Sequence, residues 1–418
     1  MKALLYGVKP EPWPQPTGAD ADNQLLKGLA NTPMQLVDMD EPEFLLPDWV
    51  ITKPRLTGIC GSDSKQVFMD WGNVGGENNP MKAFFSLPQV LGHEVVADVV
   101  AVGPEAEGFE VGDRVVLNPW LSCGPRGVDP VCPACEIGDY SLCWNFSVGP
   151  LKPGIHIGTS ASGNGGYAEL MPAHDSQLFK VPDNVSDELA VFADPFTVSL
   201  HAITRHPPKP GGKVMVYGAG ALGTCATAIL RALYPDVEVL VVARFEAQAA
   251  LARKFGATVI GHTPARQVIE EAAAWSGGVL QDSDGLPMAF PGFIDVVYDT
   301  IGKQETFEVG ARVCAARGTL VKAGVHGATF WEDTPLYFKE LSFVGSNAFG
   351  FEEVDGVRKH GIEHYLDLVS SGRVDLTGML THTFPLDDWR GAFGALATQD
   401  QSGAIKVAFD FREEHGDG

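Results

Sequence analysis

Four of the chain's seven cysteines, Cys123, Cys132, Cys135 and Cys143, crowd into one short segment, the last three spaced Cys-x2-Cys-x7-Cys. A Cys-x2-Cys turn presents two thiolates to one tetrahedral zinc, and two more close the site. Four sulfur ligands leave no open position, so such a zinc is structural. The competing reading is a set of unrelated buried thiols. Cys123 stands farther from its neighbours and is the least secure ligand. Cys225, after a glycine-rich loop, and Cys314, in an Ala-rich run read as helical, are expected core residues. Cys60 lies in Thr57-Gly58-Ile59-Cys60-Gly61-Ser62-Asp63, and His93 in Leu91-Gly92-His93-Glu94. Alone, each reads more readily as a packed core residue than as a ligand.

A second group of residues points to a nucleotide. Lys213–Tyr217 reads as a buried strand and runs into Gly218-Ala219-Gly220-Ala221-Leu222-Gly223, which opens a helix to about Leu233. Strand, G-x-G-x-x-G and helix in that order form a dinucleotide fingerprint. The glycines allow a tight turn and close backbone approach, and the helix N-terminus faces the pyrophosphate. An acid at the tip of the next strand commonly accepts from the ribose of NAD. Here the tip reads Ala243-Arg244. The missing acid removes repulsion against a 2′-phosphate, and Arg244 is placed to pair with one. NADP is therefore expected over NAD, with Arg244 as a solvated surface charge the alternative.

These residues need two kinds of support. From about residue 90 to 117, Val-rich runs alternate with turns, an antiparallel pattern. Pro- and Gly-rich residues 9–20 and 124–131 read as surface loops. Beyond about residue 196, strands at Lys213–Tyr217, Val237–Val242, Phe293–Tyr298, Thr319–Ala323 and Ser342–Gly345 alternate with helices, one of them through Lys254. That is an α/β doubly wound parallel sheet. The length of 418 residues suits two domains, and 45% hydrophobic residues supply an ordinary core. A net charge of −23 excludes non-specific nucleic-acid binding. No apolar run of about 18 residues predicts a membrane span. The opening Met1–Tyr6 is strand-like and too short for a signal peptide's apolar region. A cytoplasmic, reducing location is expected, where clustered thiols bind metal.

Taken in order, GICGSD, LGHE, the cysteine loop, Gly165-Gly166-Tyr167-Ala168-Glu169 and VYGAGALG resemble the zinc-dependent medium-chain dehydrogenases, over roughly residues 50–410. The resemblance implies a β-rich GroES-like catalytic domain (residues 1–196 and 348–418) around a Rossmann domain (197–347). It implies two zinc ions per chain, one of them catalytic on Cys60 and His93. The third ligand falls in Phe192-Ala193-Asp194-Pro195-Phe196, where Asp194 stands in for the Glu of polyol-type members. A cap of the following helix is its other possible role. Glu94 is a further ligand or a supporting group. Three protein ligands leave one position for a substrate oxygen. Ser62 matches the family hydroxyl that takes the alcohol proton, and Lys65 stands where a histidine often continues that relay. Gly218, Gly220, Ala221, Leu222, Gly223, Ala243 and Arg244 form the cofactor set. The activity implied is hydride transfer between an alcohol, or an aldehyde or ketone, and NAD(P). A polyol or sugar-alcohol dehydrogenase and a non-catalytic relative are the alternatives. A homodimer or homotetramer is implied by analogy. Cys60 and His93 are 33 residues apart, more than is usual, and the extra loop at 66–88 carries Phe68, Trp71, Phe84 and Phe85. It is either an apolar lid over substrate or a surface or interface loop. A second insertion lies at about residues 8–33.

Overall fold

The computed structural model describes residues 1–70, 80–282, 284–325 and 330–412. Two sheets carry the two groups of residues. The first has seven strands, ordered Leu380–Phe384, Lys406–Asp410, Trp49–Gly58, Glu94–Val102, Arg114–Leu117 and Leu178–Lys180, with Met171–His174 also pairing Trp49–Gly58. Its pairs are antiparallel except the first. The chain beyond residue 347 thus returns to this sheet. Lys406 comes back beside the Cys60 strand through the pairing of Ala408 with Gly58.

The second sheet has six parallel strands, ordered Thr258–Gly261, Glu238–Ala243, Lys213–Tyr217, Ile294–Asp299, Cys314–Lys322 and Ser342–Gly345. Numbered along the chain within this sheet, that order is 3-2-1-4-5-6, the doubly wound arrangement with its switch point at the first strand. The near-continuous apolar runs VMVY and VLVVA suit strands covered on both faces. Helices Ala221–Leu233 and Gln304–Val313 supply part of that cover. Cys314 opens a strand and is not helical. Its Ala-rich neighbours gave a helical signal that pairing with Ile294–Asp299 overrides.

The described parts of the two insertions pack against the rest of the fold. Asn23 caps helix Gln24–Asn31 by accepting from the N–H groups of Leu25 and Leu26. It also donates to the Ala397 carbonyl at 3.0 Å, tying that helix to helix Trp389–Ala397. Gly28 is obligatory there, because a Cβ would stand 2.0 Å from the Phe68 carbonyl oxygen. Arg390 is held between the rings of Trp13 (4.1 Å) and Trp389 (4.0 Å) and reaches Glu11 at 3.4 Å. Phe68 is buried edge-to-face on Phe393, and Phe84 packs edge-to-face on Phe146. Trp71 lies outside the described residues.

Candidate active site

Register builds the first site. Gly58 pairs with Glu94, so the chain two residues beyond Gly58 brings Cys60 opposite His93. Cys60 caps helix Gly61–Val67, and His93 sits on the turn that enters the next strand. Donor atoms of Cys60, His93 and Glu94 all lie within 4.8 Å of one another. Cys60 is half-buried, and the other two are buried. Two glycines make this possible. At Gly92 φ is +94°, and a Cβ would meet the Tyr167 ring at 2.5 Å. At Gly58 a Cβ would meet Glu94 Oε2 at 2.4 Å.

The surroundings hold the three side chains in place. Asp63, from the Cys60 motif, lies with its Oδ1 3.6 Å from His93 Nδ1. Its Oδ2 accepts from the Tyr167 hydroxyl at 2.9 Å and from the Cys60 N–H at 3.4 Å. Burial opposes the charged forms of both Asp63 and His93, and their mutual attraction wins. Asp63 is held below its usual range and His93 well above its own. Glu94 is paired with the ammonium of Lys406, and both are buried. Burial opposes the charge on Lys406, and Glu94 more than restores it. His156 packs against His93 with ring centroids 4.6 Å apart. Burial, and then the His93 charge, push it down to about 3, so it is a neutral wall of the site.

Asp194 lies in the first turn of helix Ala193–Arg205 and is buried beside this group. Its carboxylate is not among the donors that converge within 4.8 Å, as the shorter acid implies. Burial pushes it up to about 7, with His93 and Lys406 pulling against Glu94 and Asp63. It accepts no hydrogen bond among the described residues, so it does not cap its helix. Ser62 and Lys65 are half-buried on helix Gly61–Val67. Burial, then the charge of Lys303, lowers Lys65 to about 8.

The cysteine loop closes on itself. Cys123, Cys132, Cys135 and Cys143 converge, all buried. Cys143 Sγ is 3.6 Å from Cys123 Sγ and 4.0 Å from Cys132 Sγ. Four N–H groups point at sulfur: Cys132 N (3.3 Å) and Asn145 Nδ2 (3.2 Å) at Cys123, Trp144 N (3.5 Å) at Cys132, and Asn145 N (3.3 Å) at Cys143. Such donors stabilise thiolates and suit a metal-bound cluster. Hydrogen bonding with Cys143 draws Cys135 down to about 5, and Cys143 is pushed up in turn. Arg126, fully buried, donates to five carbonyls of residues 121, 148, 151, 152 and 154 and clamps the loop.

The glycine loop fits a dinucleotide. Gly218 has φ +102°, and a Cβ there would strike Thr300 and Ile301. At Gly223 a Cβ would lie 1.9 Å from the Gly218 carbonyl oxygen. Gly220, the N-cap of helix Ala221–Leu233, faces open space and has no side-chain cap. Its helix N-terminus, with Ala221 and Leu222 in the first turn, is therefore available to an anion. At the neighbouring tip Arg244 is exposed beyond Ala243. Ala243 pairs with Gly261, which puts His262 alongside. His262 is lowered first by burial and then by the Arg244 charge.

Sequence reasoning missed Asp63, His156, Lys406 and His262 as members of these sites. Asp63 had a signal, three residues after Cys60 in one helical turn. The others arrive through tertiary pairing.

Comparison with known proteins agrees with this geometry. An alcohol dehydrogenase GroES-like domain model matches residues 46–183, and a zinc-binding dehydrogenase model matches residues 221–363. An L-threonine 3-dehydrogenase of Aeromonas hydrophila is 30% identical over 380 residues, 90% of this chain and 96% of that protein. Among solved structures, 2R,3R-butanediol dehydrogenase from Bacillus subtilis superposes with a TM-score of 0.70 at 22% identity, covering 98% of this chain and 99% of its own. A zinc-binding dehydrogenase of Sinorhizobium meliloti, bound to NADP, gives 0.66 at 25% identity, covering 91% and 96%. No helix among the described residues is long and apolar enough to cross a membrane. The chain belongs to the zinc-dependent medium-chain dehydrogenase family, a nicotinamide-dependent zinc oxidoreductase that acts on the CH–OH group of a small-molecule alcohol.

Proposed function

We propose that Cys60 and His93 hold the catalytic zinc with one acid, Glu94 or Asp194, so that one position stays open for the substrate oxygen, and that Cys123, Cys132, Cys135 and Cys143 hold a structural zinc. The convergence of the Cys60, His93 and Glu94 donor atoms within 4.8 Å carries this reading. The approach of Asp63 Oδ1 to His93 Nδ1 at 3.6 Å supports it, since a carboxylate on one ring nitrogen leaves the other for a metal. When bound, zinc supplies a Lewis acid for the alcohol oxygen and the nicotinamide supplies a hydride acceptor. The protein's own groups do the rest. Asp63 orients the His93 ring, and Lys406 fixes Glu94 while offsetting its charge. Ser62 takes the hydroxyl proton and Lys65 receives it. A protonated amine cannot accept, so oxidation requires neutral Lys65. With Lys65 at about 8, that fraction rises with pH. The purified enzyme should carry two zinc ions per chain, and kcat/KM for alcohol oxidation should climb through pH 8 and level above it. One zinc or none, or a profile flat from neutral to alkaline pH, overturns the reading.

NADP is the favoured cofactor. Arg244 is joined by His262 at the neighbouring strand tip, giving two groups able to meet a 2′-phosphate. One charge-assisted contact is worth about 1.5–3 kcal/mol. Arg244→Ala should therefore cut kcat/KM for NADP by about tenfold to a hundredfold and leave NAD nearly unchanged. Equal loss with both cofactors counts against the assignment.

The domains divide as 1–196 with 348–418, and 197–347. The chain works in the cytoplasm as a homodimer or homotetramer. Its terminal sheet strand, Ser342–Gly345, has no outer partner among the described residues, and Phe343, Tyr337 and Phe338 are exposed nearby. Such an edge is suited to pairing with a second copy. A solution mass of one chain would argue against it.

A further inference from the structure

His156 stands at the candidate catalytic centre without belonging to the converging donor set. Its ring packs against His93 with centroids 4.6 Å apart, and Trp120 meets it edge-to-face at 5.7 Å. A substrate oxygen brought to the donors of Cys60 and His93 therefore comes alongside this ring. The ring's backbone is fixed on both sides. Trp120 and His156 form an antiparallel bridge, flanked by the Leu121 N–H on the Ile155 carbonyl (3.0 Å) and the Ile157 N–H on the Pro119 carbonyl (2.8 Å). The His156 N–H donates to the Thr159 hydroxyl oxygen at 3.0 Å, and that hydroxyl donates to the His156 carbonyl at 2.7 Å.

One ring nitrogen is committed as well. Nδ1 lies 2.5 Å from the Ile157 carbonyl oxygen. A carbonyl oxygen only accepts, so Nδ1 carries the proton and Nε2 the lone pair. Burial, and then the His93 charge, keep the ring neutral. Nε2 makes no hydrogen bond among the described residues, and the ring is half-buried, so this atom stays open to a ligand. The neighbouring carboxylates are occupied. Asp63 accepts from the Tyr167 hydroxyl and the Cys60 N–H, and Glu94 is paired with Lys406. Apart from Asp194, a candidate zinc acid, Nε2 of His156 is the acceptor that remains here for a substrate. A fixed acceptor of this kind discriminates, because a substrate without the matching donor leaves it unpaired.

We propose that His156 is a specificity-determining residue. Its Nε2 accepts a hydrogen bond from a hydroxyl or ammonium group on the carbon next to the reacting carbinol, so the preferred substrates are vicinal diols or vicinal amino alcohols. This rests on the assignment of Cys60 and His93 to the catalytic zinc. The zinc-loaded enzyme is assayed with NADP on three alcohols of one carbon skeleton: isopropanol, propylene glycol and isopropanolamine. Wild type should favour propylene glycol or isopropanolamine over isopropanol by about tenfold to a hundredfold in kcat/KM, the value of a hydrogen bond to an acceptor otherwise left unpaired. The compound favoured identifies the donor.

His156→Phe keeps an aromatic ring against His93 and removes the lone pair, so it should bring that ratio close to one. His156→Gln returns an acceptor near the place of Nε2 and should recover part of the preference. A ring that served only as packing would give the reverse order, with Phe keeping the ratio and Gln losing it. Binding gives a second readout. With NADPH bound, the dissociation constant of the favoured compound, followed by nicotinamide fluorescence, should rise in His156→Phe more than that of isopropanol. Equal turnover of all three alcohols by wild type, or a preference that survives in His156→Phe, overturns the proposal and leaves the zinc assignment standing. If none is turned over with both zinc ions present, the binding ratio decides in the same way. No turnover with the catalytic zinc missing overturns the zinc assignment and this proposal with it.

Discussion

His93→Ala should lower kcat/KM for alcohol oxidation by about a thousandfold and remove one zinc ion per chain. A metal Lewis acid contributes several kcal/mol of transition-state stabilisation, and each 1.36 kcal/mol is tenfold in rate. His93 is the one converging donor with both a carboxylate aligning it and an aromatic wall fixing its ring. Its loss also strands Asp63, a buried carboxylate whose charge His93 supports. An unpaired buried charge destabilises by itself. Asp63→Asn separates the two effects, since it keeps the imidazole and its volume. Residues that orient a ligand are typically worth 10- to 100-fold in affinity or activity. Asp63→Asn should therefore fall between wild type and His93→Ala in zinc retention and in rate, with near-wild-type circular dichroism. A folded His93→Ala enzyme that keeps both zinc ions and a tenth of its activity would show that His93 is not a ligand.

How much of this the sequence carried depends on distance along the chain. The cysteine loop and the glycine loop are local. Their chemistry is written in spacing, and local hydrogen bonds complete them, as the Trp144 and Asn145 N–H groups do for Cys132 and Cys143. The pairing of Cys60 with His93 needed the family pattern, because the register of Gly58 on Glu94 that creates it is tertiary. Lys406 was beyond reach. It is buried against Glu94 from a strand that returns after residue 400, and nothing near it in sequence is chemical. The insertion at 66–88 was legible only as an alternative between an apolar lid and a surface or interface loop, because composition cannot distinguish a ring facing substrate from one facing a neighbouring helix. Phe68 meets Phe393 edge-to-face, while helix Gln24–Asn31, part of the other insertion, packs against the Phe68 backbone at Gly28. Asp194 shows the limit of analogy. The family position was right for a buried acid beside the site, while its reach depends on one methylene that no pattern weighs.

Cys135→Ser should cost about as much stability as a large core truncation and should leave the catalytic zinc in place. A structural zinc in a small domain provides about 10–16 kcal/mol of apparent binding energy, and its ligands are organised only in the folded state. Replacing one thiolate by a hydroxyl forfeits much of that. Here the loss is shared with the remainder of the fold, because the loop is tied in at several points. Arg126 holds five carbonyls between residues 121 and 154, and the Gly138 carbonyl accepts from the Phe351 N–H at 3.3 Å. The loop should therefore loosen without unravelling the whole chain. A loss of about 3–5 kcal/mol corresponds to a fall in Tm of roughly 10 °C in a protein of this size class. Metal analysis should find one zinc per chain, and hydrogen exchange should rise within residues 123–154 while the strands of the dinucleotide sheet keep their protection. Catalysis at low temperature should survive, since Cys60, His93 and Glu94 are positioned by a different register. If Cys135→Ser retains two zinc ions and its Tm, the four sulfurs are merely packed thiols. If it loses both ions and all activity at once, the two sites fold as one unit, and the loop supports the catalytic centre directly.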